Sequence, residues 1–110
     1  MKYVKLHAYH VQKEKRDEYL DLQRQAAEVY GRHASFRTLF LNSMEDETRW
    51  IEITTYDSEE SYAEAIRLID EEPEIGDLFR RFKSLLVQEN AEIVEEDFKL
   101  AKEIVVRTTE

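Results

Sequence analysis

The chain has 110 residues, 42% of them hydrophobic, with one Trp, six Tyr and five Phe, which is enough for one domain around a single core. Sixteen Lys and Arg stand against twenty-five Asp and Glu, and the resulting formal charge of -9 repels phosphate backbones and anionic lipid, so neither nucleic acid nor a membrane is an expected partner. The absence of Cys excludes disulfides, thiolate nucleophiles and sulfur-built metal sites, and it fits a reducing compartment.

Met1–His7 is interrupted at once by charged and polar residues and lacks a signal-peptide core, and no later run approaches a membrane span. A cytoplasmic protein is expected.

Residues 3–11 alternate, with Val4, Leu6 and Ala8 on one face and Tyr3, Lys5, His7, Tyr9 and Val11 on the other, as in a strand. From Lys13 the period lengthens: Tyr19, Leu22, Ala26, Val29 and Tyr30 recur at helical spacing, and Gly31 marks the end, where a left-handed terminus is easiest to form. Residues 35–43 alternate again. A polar turn, Met44-Glu45-Asp46-Glu47-Thr48, leads into the β-branched and aromatic run 49–56, so these two segments are expected to form a hairpin.

Ser58, followed by Glu59 and Glu60, supplies a helix cap and first-turn acids before Tyr62, Ala65, Ile66 and Ile69. Pro73 and Gly76 interrupt this helix, and Ile75, Leu78, Phe79, Phe82, Leu85 and Leu86 resume it. Residues 92–100 are the last strand, with poor alternation. Residues 1–100 thus read as one domain and 101–110 as a tail, whose Ile104-Val105-Val106 is suited to an added edge strand.

The order βαββαβ is that of an α+β, ferredoxin-like antiparallel sheet with helices on one face. Strands one and three then lie side by side, aligning Lys5, His7 and Tyr9 with Trp50, Glu52, Thr54 and Tyr56. The row Val4, Leu6, Ala8, Ile51, Ile53 and Thr55 is apolar enough to lie under the helices. The polar and aromatic row is accordingly expected on the open face, covered by a second copy of the chain. In this arrangement Glu52 orients or charges the His7 imidazole as a general base toward a substrate flanked by Tyr9, Trp50 and Tyr56, or the same groups merely pair across a dimer axis.

His10 and His33 lack short ligand spacing, and no metal is expected. The Arg80-Arg81-x-Lys83 group follows enough acids to be a balanced, solvated helix face. If the Pro73 interruption props the last helix off the sheet, a ligand cleft opens beside Phe79 and Phe82. With two glycines in all, no phosphate-cradling loop is present.

The segments MKYVKLHAYHV, WIEITTYDSEESYAEAI and PEIGDLFRRFKSLL together resemble the dimeric α/β barrel superfamily, in particular its antibiotic-biosynthesis-monooxygenase-like branch. The resemblance covers residues 1 to about 100 and implies two ferredoxin-like subunits packed sheet on sheet, with ligands inside the barrel or between sheet and helices. For the haem-degrading members it implies a strand-one Asn, a strand-three Trp and a helical His. Here those positions fall on His7, on Tyr56 and near Arg81 or Phe82, so haem binding or degradation is disfavoured and no cofactor is expected.

Two readings of function follow. One is a homodimer, structural or binding a small hydrophobic or aromatic ligand, without chemistry of its own. The alternative is a cofactor-independent monooxygenase acting on an aromatic or quinone-type substrate, with His7, Glu52 and Tyr56 as catalytic residues and Tyr9, Trp50, Phe79 and Phe82 as ligand contacts.

Overall fold

The alternating segments become the four strands β1 (Tyr3–His10), β2 (Phe36–Asn42), β3 (Arg49–Tyr56) and β4 (Val94–Lys99), and the amphipathic stretches become α1 (Arg16–Tyr30), α2 (Glu59–Ile69) and α3 (Pro73–Leu85). The computed structural model describes residues 1–109. The strands form one antiparallel sheet in the order β2-β3-β1-β4, the ferredoxin-like arrangement. Among the described residues no helix is long and apolar enough to cross a membrane.

Local chemistry accounts for most boundaries. Ser58 caps α2 by accepting a hydrogen bond from the Ser61 backbone N–H at 3.0 Å. Pro73 occupies the first turn of α3, where its missing N–H costs nothing, so the expected interruption is a clean break between two helices. Gly31 departs from expectation: it follows α1 with φ of -65°, a right-handed conformation, and its N–H bonds to the Ala27 carbonyl at 2.8 Å. Space rather than handedness favours glycine there, since a Cβ would lie 3.1 Å from that same carbonyl oxygen.

The larger correction concerns the two sheet faces. The row Lys5, His7, Tyr9, Trp50, Glu52, Thr54, Tyr56 does share one side of the sheet, but that side lies under the helices. Tyr9 and Trp50 belong to the core with Tyr19, Leu22 and Val29 of α1 and Leu78 and Leu85 of α3. The opposite face carries Val4, Leu6, Ala8, Ile51 and Ile53 in register with half-exposed Leu39, Leu41, Val94 and Phe98, and among the described residues no element covers it.

The physical reason lies in size. The helices reach the sheet through large rings at its two ends, whereas the short, flat aliphatic row suits packing against another sheet about 10 Å away. Residues 100–109 carry no helix or strand, and Ile104, Val105 and Val106 are exposed.

Candidate functional site

Register organises the covered face into four rows across the sheet. Phe36, Tyr56 and Tyr3 form an aromatic row; Thr38, Thr54, Lys5 and Asp97 follow; then Phe40, Glu52, His7 and Glu95; then Trp50 and Tyr9. The aromatic rows at the two ends act as posts. Tyr3 and Tyr56 pack against Tyr62 of α2, with ring centroids 4.9 and 5.0 Å apart, while Tyr9 packs edge-on against Phe82 of α3 at 4.9 Å. Between the posts the side chains, Phe40 apart, are short or polar, and a cavity of about 640 Å³ remains between sheet and helices. That volume is in the range of small-molecule sites.

The floor of the cavity is polar. His7 lies directly between Glu52 on β3 and Glu95 on β4. Its Nδ1 is 3.2 Å from Glu52 Oε2 and its Nε2 is 3.7 Å from Glu95 Oε1. The closer contact is too bent for a hydrogen bond, so Nδ1 is a buried nitrogen with no hydrogen-bonding partner. Lys5 is bound twice, to Glu95 and, at 2.9 Å, to Asp97, and its ammonium lies 5.3 Å from the centre of the Tyr62 ring. Thr38 and Thr54 satisfy each other at 2.9 Å.

Electrostatics follow from this packing. Burial opposes the charge on Lys5, but hydrogen bonds to Glu95 and Asp97 outweigh it and hold the ammonium above its ordinary range. The same contact with Lys5 holds Glu95 below the usual carboxylate range, and Asp97 is lowered by the Tyr3 hydroxyl and then by Lys5. Burial pushes the phenols of Tyr9, Tyr19, Tyr30 and Tyr56 upward, Tyr30 to about 12, and the Glu52 carboxylate adds to the rise in all four.

A pH prediction follows with a definite sign. Because the folded state holds these phenols above their ordinary value of 10, their contribution to stability is complete below pH 10 and is lost as pH rises further. In an alkaline titration the phenolate absorbance of the buried tyrosines is expected to rise together with loss of ellipticity. Ionisation of all six tyrosines near pH 10 with the fold intact would contradict the packing described.

The structure brings together His7, Glu52, Tyr56, Tyr9, Phe79 and Phe82, all of which line the cavity. Phe79 is half exposed at the edge of α3, beside Phe82. Trp50 is placed elsewhere: it is 3% exposed, packed on Tyr19 at 4.8 Å and covered by the Arg16 guanidinium at 5.2 Å, below the cavity wall. Tyr62 and Glu95 were not anticipated as lining residues. Tyr62 has the helical spacing of a core residue, and Glu95 sits in a strand without alternation; pairing β4 with β1 on paper would have set Glu95 beside His7.

No protein-family model matches the chain, and no curated protein matches it. Solved structures do match. SnoaB, a cofactor-independent oxygenase from Streptomyces nogalater, superposes with a TM-score of 0.71 at 11% identity over 94% of this chain and 96% of that one. A dimeric ferredoxin-like protein from an uncultured marine organism gives 0.73 at 17% identity over 96% and 93%. A NIPSNAP domain protein from Burkholderia xenovorans gives 0.71 at 15% identity over 90% and 94%.

The chain shares the fold of these structures, an α+β, ferredoxin-like antiparallel sheet with helices on one face. At these identities the likeness concerns fold alone, and the chemistry of the cavity has to be argued from its own residues.

Proposed function

We propose that the chain is a cytoplasmic homodimer whose subunits each bind a small hydrophobic or aromatic ligand between helices and sheet. The observation that carries this reading is the cavity itself. Its walls are aromatic, while its floor holds a buried imidazole nitrogen without a partner beside a carboxylate. A purely structural network would have no need of the space.

The dimer is supported by the uncovered aliphatic face and by the similar fold of a protein described as dimeric. In this arrangement the exposed Ile104-Val105-Val106 segment of the tail adds an edge strand to the partner copy.

The binding reading is tested with N-phenyl-1-naphthylamine, a neutral probe whose fluorescence rises in apolar surroundings. Wild-type protein is expected to bind it saturably. Ala26→Phe, which places a ring in the cavity from α1, is expected to weaken binding by at least about tenfold with an unchanged circular dichroism spectrum. Equal binding by both proteins would overturn the assignment of the cavity.

A second reading, cofactor-independent oxygenation of an electron-rich aromatic, is favoured by the His7 Nδ1 geometry and by the similarity in fold to SnoaB. A base in a dry pocket is what such chemistry needs from a protein. Oxygen uptake with a quinol, abolished in His7→Ala, would support it; absence of uptake leaves the binding reading alone.

A further inference from the structure

The polar floor of the cavity is unevenly neutralised. Among the described residues Lys5 is the single lysine or arginine that lines it, and two carboxylates, Glu95 and Asp97, already hold its ammonium. Glu52 is different. Its side chain is 17% exposed, among the described residues no lysine or arginine reaches it within ion-pair distance, and its one charged-group contact is the bent approach to His7. His7 in turn is shared with Glu95, so even a protonated imidazole divides its charge between two carboxylates. Asp70, at the end of α2, adds another acid to the same cavity.

The walls around this carboxylate are rich in aromatic residues. Tyr9, Tyr30 and Tyr56 all feel the Glu52 charge, and together with Phe36 and Tyr62 they line the cavity. One lysine-derived ammonium already lies over the Tyr62 ring. Aromatic faces and an uncompensated carboxylate attract the same kind of group, a weakly hydrated cation. An anionic ligand would meet three carboxylates, Glu52, Asp70 and Glu95, and a lysine already held by two acids.

We infer that the cavity selects an aromatic ligand carrying a cationic nitrogen, with the ring system between the helices and the charged group held at Glu52. This inference rests on the cavity being a ligand site and adds the class of ligand it takes. His7 lies beside this carboxylate at the same place on the cavity floor.

The test compares three probes of one size by isothermal titration calorimetry: 1-naphthylmethylammonium, 1-naphthalenemethanol and 1-naphthoate. The ammonium is expected to bind at least about tenfold more tightly than the alcohol, and the carboxylate most weakly. In Glu52→Gln, an isosteric change, the ammonium is expected to lose its advantage and bind no more tightly than the alcohol does to the same variant. If the alcohol or carboxylate binds as well as the ammonium, the inference is overturned and the ligand site stands. A preference for the ammonium that survives in Glu52→Gln also overturns it. If none of the three binds to wild-type protein, both the ligand reading and the inference fall.

Discussion

Replacing Tyr19 with alanine is expected to cost the fold about 3–5 kcal/mol, the range for removing a large buried aromatic. Tyr19 is fully buried and lies against Tyr9, Phe40, Trp50 and Phe82, so it joins the α1 helix to the sheet and to α3 at one point. Its hydroxyl is 2.6 Å from that of Tyr9, whose other partner is the Gln23 amide at 3.3 Å. Truncation therefore leaves a void and deprives a buried phenol of its better partner.

Tyr19→Phe keeps the ring and loses the hydroxyl pair, and should cost about 1 kcal/mol. Against a total stability of roughly 5–15 kcal/mol, the alanine variant is severely weakened and the phenylalanine variant is not. Urea unfolding of the two variants measures the difference. A loss below about 1 kcal/mol for Tyr19→Ala would mean that α1 is not anchored as described.

The second large effect concerns the uncovered face. Leu6 and Ile53 are direct cross-strand neighbours near the middle of the aliphatic face, flanked by Leu39 on β2. In the proposed dimer they are enclosed between two sheets. Ile53→Asp then places an unpaired carboxylate in each copy of the interface, a cost of roughly 3 kcal/mol or more and about a hundredfold in dissociation constant.

Wild-type protein is expected to sediment at twice its 13.2 kDa chain mass, and Ile53→Asp as a monomer with native circular dichroism. Leu41→Lys, nearer the rim and already half exposed, should weaken the dimer less. A monomeric wild type would overturn this use of the face.

Much of the architecture was legible because its signals are local. Alternation over residues 3–11 and 49–56, the Ser58 cap and the Pro73 break each act through neighbours in the chain, and each is found in place. The His7–Glu52 juxtaposition was legible too, since fixing which strands are neighbours fixes which side chains share a row.

What alternation does not carry is sign. It divides a strand into two rows without saying which row meets the helices, and when both faces are destined for cover both rows are rich in large residues. Val4, Leu6 and Ala8 look like core by hydrophobicity, yet the helices rest on Tyr3, Tyr9, Trp50 and Tyr56, which are long enough to reach them. Hence His7 and Glu52 lie in a cavity between helices and sheet rather than on the open face.

Trp50 follows the same logic. On an open face a tryptophan is a ligand platform or an interface anchor; under α1, beside Tyr19, it is the bottom of the core. Glu95 was hidden for another reason. Every residue of β4 is exposed, so the strand has no hydrophobic pattern, and its place is set by hydrogen bonding to β1.

The central claim, that ligand enters between helices and sheet and not against the aliphatic face, is tested most directly by methyl NMR. Protein labelled at Ile, Leu and Val methyls is titrated with 1-naphthylmethylammonium, and with N-phenyl-1-naphthylamine in parallel. Shifts are predicted at Leu22, Ile66, Ile75 and Leu78, which line the cavity, with Leu39, Leu41 and Ile53 unmoved. Shifts confined to Leu39, Leu41 and Ile53, with the cavity methyls silent, would contradict the account.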